Sequence, residues 1–331
     1  MGACRCCMPM SGSYFQKNRN TSHHPMDYTH IFTQMLMIFA TIMVGFLSAK
    51  RGIWPAELNR MLSVFVLDVS CPMLILASVM GPGITFETSE VVSLIWVSVV
   101  NYALLIAAAF ALTWLWNTGG RHRRGQLRFM SVFGNVTFIG FPVVNAVFGA
   151  KAVFYAAVLT IPFNVLIFTV GVSFLTGLNF KQTFSPRLVL SPCVLASLAA
   201  MVLALLRIQV PETIGTWCHL VGDMTIPCAL LIIGASLSTV PLRDMAGSPF
   251  VYATAFIKLL LMPALVLVVL RALGVNEEVA GVATLLSGMP IAANGIMISM
   301  KYGLDGRLMA QAIFITTLMA AAAIPLIVMW L

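Results

Sequence analysis

Two segments of the chain carry the features that decide its fold. Residues 134–149 read GNVTFIGFPVVNAVFG, and residues 288–303 read GMPIAANGIMISMKYG. Both segments are apolar, yet each contains Gly-x-Pro, at residues 140–142 in the first and at residues 288–290 in the second. Proline lacks an N–H group and its ring collides with the preceding helical turn. We therefore expect both segments to be helices that break at these prolines.

The composition around these segments excludes an ordinary cytosolic enzyme. Of 331 residues, 60% are hydrophobic and 9% are charged, whereas soluble domains carry about 25% charged residues. The net charge of +8 is spread over too few charges to build a nucleic-acid-binding face, and the chain is too apolar to be disordered. A basic excess in an apolar chain is typical of loops at a cytoplasmic membrane surface.

The apolar residues are arranged in runs long enough to cross a bilayer, which takes about 20 residues for a hydrocarbon core of about 30 Å. Alternating strands of the barrel type are absent. The sequence predicts an all-α polytopic membrane protein whose ten transmembrane helices lie in the lipid bilayer. The ten runs, numbered here as spans one to ten, are 31–49, 61–80, 91–116, 129–148, 152–178, 188–206, 213–240, 245–270, 279–300 and 308–331.

The two halves of the chain repeat their unusual features. Asp68 stands four residues before a proline in span two, as Asp223 does in span seven, and spans four and nine share Gly-x-Pro. Two five-helix units must have opposite orientation, because five is odd, and this is the plan of many secondary transporters. We therefore predict two inverted repeats, residues 30–178 and 188–331.

The first 29 residues differ from the rest. They are polar and contain no apolar core of signal-peptide length, which predicts a disordered tail over residues 1–29. Alternatives are a metal or lipid attached at Cys4, Cys6 and Cys7, or translation that begins further along the chain.

The distribution of Lys and Arg predicts the orientation. With ten crossings, twelve basic residues fall in the loops on one side and six on the side of the termini. Basic loops stay in the cytoplasm, so both termini are predicted to face outside, in the plasma membrane (the inner membrane of a bacterium). The segment RHRRGQLR, residues 121–128, contributes most to this bias.

Broken membrane helices indicate a binding site, because the peptide groups they free cannot be satisfied by lipid. The N-terminus of a half-helix carries partial positive charge and favours an anion. Spans four and nine offer amides and hydroxyls but no carboxylate; the alternative is a pair of kinked helices with a purely structural role. The predicted substrate-binding residues are Asn135, Thr137, Gly140, Pro142, Asn145, Gly288, Pro290 and Asn294, with Lys258 of span eight.

Few charges lie inside the spans. A lysine such as Lys258 at mid-membrane costs about 2.5–3.5 kcal/mol, so it would attract the anion, pair with an acid or extend to the interface. Asp68, Asp223 and His219 could couple transport to protons. The favoured interpretation is structural, with the acids bonding backbone groups freed by the following prolines.

The two Gly-x-Pro segments, with GDMTIPCALLIIGASL at residues 222–237 and KLLLMP at residues 258–263, resemble the auxin efflux carrier family. That family includes bacterial carriers for small organic acids such as malonate, and the plant PIN-type carriers. The resemblance runs from about residue 31 onward. It implies ten helices, a crossover of spans four and nine at their prolines, and elevator transport in which spans three to five and eight to ten move against a scaffold that is often dimeric.

The function expected from these features is secondary transport of a small organic anion, a mono- or dicarboxylate. The short segment between spans five and six favours a bacterial-type carrier. Alternatives are a sodium- or proton-coupled symporter of the same fold, a membrane-embedded enzyme and a sensor that transports nothing. The motifs HExxH, GxxxxGK[ST] and GxSxG are absent, so no catalytic residue, metal or cofactor is predicted, and a homodimer is left open.

Overall fold

The computed structural model describes residues 28–80, 86–116, 120–178, 191–238 and 248–331. The prediction for the N-terminal tail falls outside these residues, except at its last two positions. Within the described ranges the regular structure is helical and forms thirteen segments. Their bounds are α1 Tyr28–Lys50, α2 Ala56–Ala77, α3 Thr88–Leu115, α4 Arg121–Val132, α5 Val136–Phe148, α6 Ala150–Leu159, α7 Ile161–Thr176, α8 Pro192–Leu206, α9 Glu212–Ser238, α10 Pro249–Ala272, α11 Glu277–Ser287, α12 Asn294–Lys301 and α13 Arg307–Trp330.

Several of these helices are suited to a membrane. By length and hydropathy, five of the described helices could cross one, namely α2, α3, α9, α10 and α13. The pair α6 and α7, bent by 41° where they meet, would be a sixth, and shorter apolar helices are Leu36–Lys50, α5 and α8. The described part of the chain is therefore all-helical, and the protein is a multi-pass membrane protein. Ten crossings and their inverted arrangement stay predictions.

Three helices continue through a proline that follows a widened turn. In each case the turn that ends two residues before the proline is widened to π-helical geometry, which is a frequent device at functional sites. We attribute the widening to the proline, which has no N–H to bond the preceding turn and whose ring would collide with the carbonyl four residues back. The widened turns and their prolines are Val66–Ser70 with Pro72, Val136–Gly140 with Pro142, and Ile257–Leu261 with Pro263.

The helices pack in two groups. In one, α1 lies along the second half of α9, and α2 packs against α8 and the first half of α9. The α1–α9 contact depends on glycine, because a methyl group at Gly45 would overlap the Leu231 carbonyl and one at Gly234 would overlap the Ile42 carbonyl. In the other group, α3 packs on α4, α4 on α7, and α10 on α11 and α13.

Candidate functional site

The first break in the helical structure of these segments separates α4 from α5. Helix α4 ends at Val132 and α5 begins at Val136. Asn135 caps the new helix, since its side-chain Oδ1 accepts a hydrogen bond from the Phe138 N–H at 3.3 Å. No described residue accepts a hydrogen bond from the Asn135 side-chain nitrogen. A positive helix end and an amide donor thus lie together at this point.

The second break separates α11 from α12. Helix α11 ends at Ser287 and α12 begins at Asn294, with Pro290 inside the non-helical segment. The Ile291 N–H donates to the hydroxyl of Thr316 on α13 at 3.2 Å. Asn294 is the first residue of α12, whereas Asn135 directly precedes α5, so an asparagine lies at the start of the second half-helix in both segments.

The two breaks lie beside each other and pair through their backbones, at a place that we call the crossing. The Asn135 N–H donates to the Pro290 carbonyl at 2.6 Å, and the Ala292 N–H donates to the Phe133 carbonyl at 3.0 Å. Gly134 and Ile291 thereby form an antiparallel bridge. These bonds satisfy peptide groups that lipid could not satisfy, so each break supplies partners for the other.

The prediction that both helices break at Gly-x-Pro is correct for the second segment and wrong for the first. Helix α5 runs through Pro142, because the widened turn before it accommodates the ring. The break lies instead around Gly134, where a methyl group would come within 3.1 Å of the Met289 carbonyl oxygen. Gly140 has a packing role, since a methyl group there would lie 2.8 Å from Cδ2 of Leu286 on α11.

Gly288 and Pro290 occupy different surroundings at the second break. A methyl group at Gly288 would lie 2.5 Å from Ile327 Cδ1 and 3.2 Å from Pro263 Cγ, so the break is packed tightly against α13 and α10. Pro290 contributes its carbonyl to the crossing. Neither residue lines the two cavities described next.

Two cavities meet at the crossing. The smaller, about 190 Å³, is bounded by α2, α5, α7 and the start of α8. The larger, about 460 Å³, is bounded by α2, α9, α12 and α13. Asn135 and Asn294 line both cavities, so a solute in either one would meet the N-termini of both half-helices.

The other two predicted polar residues of span four lie in different places. Thr137 lines the smaller cavity. Asn145 lies near the C-terminal end of α5 and is absent from the lining of both cavities. Asn164 of α7, which the sequence analysis did not single out, also lines the smaller cavity. A lone amide in an apolar span was the signal that could have identified it.

Lys258 is buried, with 0% of its surface exposed, and it does not line either cavity. Its Nζ donates to the Ser131 carbonyl at 3.4 Å and to the Val132 carbonyl at 3.3 Å. These are carbonyls of the last turn of α4, where the helix dipole is negative. Among the described residues no carboxylate lies within salt-bridge distance of Lys258, so the lysine caps the half-helix that ends at the first break.

The two predicted acids have different surroundings. Asp68 lies in the widened turn of α2 and lines the smaller cavity with Asn135 and Asn164. Asp223 lies at the bend within α9, is exposed, and donates its backbone N–H to the His219 carbonyl at 2.8 Å. Asp223 and His219 are absent from the lining of both cavities.

The described residues contain no group of three or more His, Cys, Asp or Glu side chains that could hold a metal ion. The polar lining at the crossing consists of amides, hydroxyls and peptide N–H groups, with Asp68 on one side and Arg60, which is paired with Glu57 at 2.7 Å, on the other. Such a lining suits a small polar solute with hydrogen-bond acceptors.

Several apolar helices and a pair of broken helices that meet at the crossing define a membrane protein of the transporter class. The chain belongs to the Membrane transport protein family, which matches residues 30–185 and 178–328. The resemblance to auxin efflux carriers is thereby confirmed, and the chain is a membrane transporter, not an enzyme.

Named relatives agree with this assignment at low identity. The chain is 23% identical to the "Putative malonate transporter" of Rhizobium meliloti, over 88% of this chain and 92% of that protein. It is 22% identical to an uncharacterized transporter of Methanocaldococcus jannaschii, over 91% and 97% of the two chains. An uncharacterized transporter of Escherichia coli K12 is 23% identical, over 90% and 96%.

Proposed function

We propose that this protein carries a small organic anion, a mono- or dicarboxylate, across the plasma membrane. The observation that carries the proposal is the position of Asn135 and Asn294, which lie at the N-terminal ends of two half-helices and line both cavities at the crossing. Two positive helix ends and side-chain amides favour a carboxylate. A relative that is named for malonate supports the same class of substrate.

We further propose that the carrier has ten transmembrane helices in two inverted repeats and moves as an elevator. The contacts favour this division, because α1, α2, α8 and α9 pack together and would form the scaffold. The helices on either side of the two breaks would move with α3, α6, α7, α10 and α13. Both termini would face outside, in the inner membrane of a bacterium, and a homodimer would form through the scaffold.

Malonate counterflow in proteoliposomes tests the proposed site. Asn135→Asp keeps an oxygen that can cap α5 but places a negative charge where the anion would bind. Two like charges about 4 Å apart repel by about 4 kcal/mol at an effective dielectric constant of about 20, so malonate uptake should fall below about a tenth of wild type. Asn145→Ala, which alters the same helix outside both cavities, should keep wild-type uptake.

The proposal would be overturned if Asn135→Asp carried malonate and related carboxylates as the wild-type protein does. It would also be overturned if Asn145→Ala lost uptake to the same degree, because the effect would then belong to α5 as a whole rather than to the cavity.

Proton-coupled symport is a second candidate, favoured by Asp68. Its side chain lines the smaller cavity beside Asn135, where a proton on the carboxyl group would remove a charge that repels the substrate. Uptake by Asp68→Asn should then lose its dependence on a pH gradient while exchange of malonate across the membrane persists. Uptake that keeps its full response to the gradient would eliminate Asp68 as the coupling group.

A further inference from the structure

A third cavity, about 480 Å³, lies away from the crossing, where the start of α4 meets the last turns of α3 and α7. Arg121, Arg124 and Arg128 line it. They are three and four residues apart, so they share one face of α4. We call this cavity the arginine pocket. Its remaining walls are Phe110, Gly125, Ser173, Phe174, Gly177 and Leu178.

Two of the arginines are held in place by neutral groups. The Arg128 Nε donates to the Thr113 hydroxyl at 2.9 Å, and its guanidinium lies 4.0 Å from the centre of the Phe110 ring. The Arg121 Nη2 donates to the Gly177 carbonyl at 3.3 Å. No described carboxylate forms a salt bridge with any of the three, so the charge of the arginine pocket is not compensated by the described residues.

The sequence explains why this charge is not compensated. The chain contains no Asp or Glu between Glu90 and Glu212. The segments next to the pocket in sequence, 117–119 and 179–190, add only Lys181 and Arg187 to the charge. Three guanidinium groups on one face repel each other, and an anion from outside the chain would relieve this repulsion.

The surroundings of the arginine pocket indicate which kind of anion it would bind. In the last turns of α3, on the side of Phe110, Trp114 is 84% exposed and the adjoining Leu115 is 73% exposed. A basic cavity beside an exposed apolar surface, at the end of membrane helices, matches a phospholipid, whose headgroup is anionic and whose chains are apolar. Guanidinium groups also pair with two phosphate oxygens at once.

We propose that the arginine pocket binds the phosphate headgroup of an anionic phospholipid, with its acyl chains along α3 at Trp114. The pocket is separate from the anion site at Asn135 and Asn294, and the inference does not depend on what the protein carries. A lipid bound here would contact the N-terminal end of α4, the helix whose other end forms the first break.

Lipid binding to two neighbouring variants tests the proposal. Arg124 and Arg123 are both exposed, but only Arg124 lines the pocket, and no described residue accepts a hydrogen bond from it. The purified full-length protein would be titrated with phosphatidylglycerol against a phosphatidylcholine background, and bound lipid would be counted by native mass spectrometry. Arg124→Gln should raise the half-saturating phosphatidylglycerol concentration about fivefold, whereas Arg123→Gln should not change it.

The triple variant Arg121→Gln, Arg124→Gln, Arg128→Gln should raise that concentration about a hundredfold. Equal binding by Arg124→Gln and the wild-type protein would overturn the proposal, as would an equal loss in Arg123→Gln, which would indicate general surface attraction. In a parallel thermal-unfolding series, inorganic phosphate should stabilise the wild-type protein much less than phosphatidylglycerol. Equal stabilisation would assign the pocket to free phosphate and overturn the lipid proposal.

Discussion

At the first break the chain leaves helical geometry for only three residues, 133–135, whereas at the second it does so for six, 288–293. The longer break contains its proline, and the shorter one contains none. The two breaks also take different support from outside, a lysine of α10 at the first and a threonine of α13 at the second. What they share is an asparagine at the start of the following half-helix and mutual backbone pairing.

This difference shows that Gly-x-Pro does not itself mark the site. In the second segment it coincides with the break, and in the first it lies inside α5, where Gly140 packs against α11. An asparagine follows each Gly-x-Pro, Asn145 in the first segment and Asn294 in the second, but the residue that lines both cavities together with Asn294 is Asn135. The comparison therefore predicts that substitutions at the two breaks affect stability and transport more than substitutions at the Gly-x-Pro inside α5.

Gly134→Val should have the largest effect. A methyl group at Gly134 would meet the Met289 carbonyl oxygen at 3.1 Å and the Lys258 Nζ at 3.2 Å. Because the Met289 backbone cannot move aside as easily as a side chain can, we expect a loss of about 3 kcal/mol of stability and weaker backbone pairing between the two breaks. Thermal unfolding would measure the loss of stability, and size-exclusion profiles would show whether the variant still folds.

Gly120→Ala is the control for that substitution, because Gly120 has extended backbone and open space around it. It should retain wild-type stability. A stable, transporting Gly134→Val protein would show that the two breaks do not need their close backbone contact.

Lys258→Met should have a smaller effect, confined to the first break. It removes the donor from the Ser131 and Val132 carbonyls, and a buried polar group without a partner costs about 1–3 kcal/mol. We expect a lower melting temperature with little change in the malonate concentration that gives half-maximal uptake. A raised half-maximal concentration at unchanged stability would instead assign Lys258 to the substrate, as the sequence analysis predicted.

Thr316→Val should have the smallest effect, confined to the second break. It removes the single acceptor of the Ile291 N–H with little change in shape, so we expect a loss of about 1 kcal/mol. Thr317→Val is the matched control, because the Thr317 hydroxyl donates to the Ile313 carbonyl of its own helix and supports no break. Equal melting temperatures for the two variants would show that the second break does not need α13.

Much of this arrangement could be predicted from the sequence. Composition and apolar runs indicated a helical membrane protein, and the motif-bearing segments indicated where helices would be interrupted. The polar residues within them included Asn135 and Asn294, which the structure places at the meeting of the two cavities.

The position of the first break could not be predicted from its motif. A proline alone does not decide whether a helix breaks, because α5 continues through Pro142 after a widened turn and α13 contains Pro325 without a break. Where a helix breaks instead depends on distant partners, here the Pro290 carbonyl and Lys258. The role of Lys258 as a cap could not be predicted either, because its acceptors lie more than a hundred residues away in sequence.

The most direct test of the account is an experimental density map of the wild-type protein with malonate bound. We predict density for the carboxylates at the crossing, within hydrogen-bonding distance of Asn135 and Asn294 and of the N-termini of α5 and α12. Density for malonate elsewhere, with the crossing empty, would contradict the central claim that the paired ends of the two half-helices bind the transported anion.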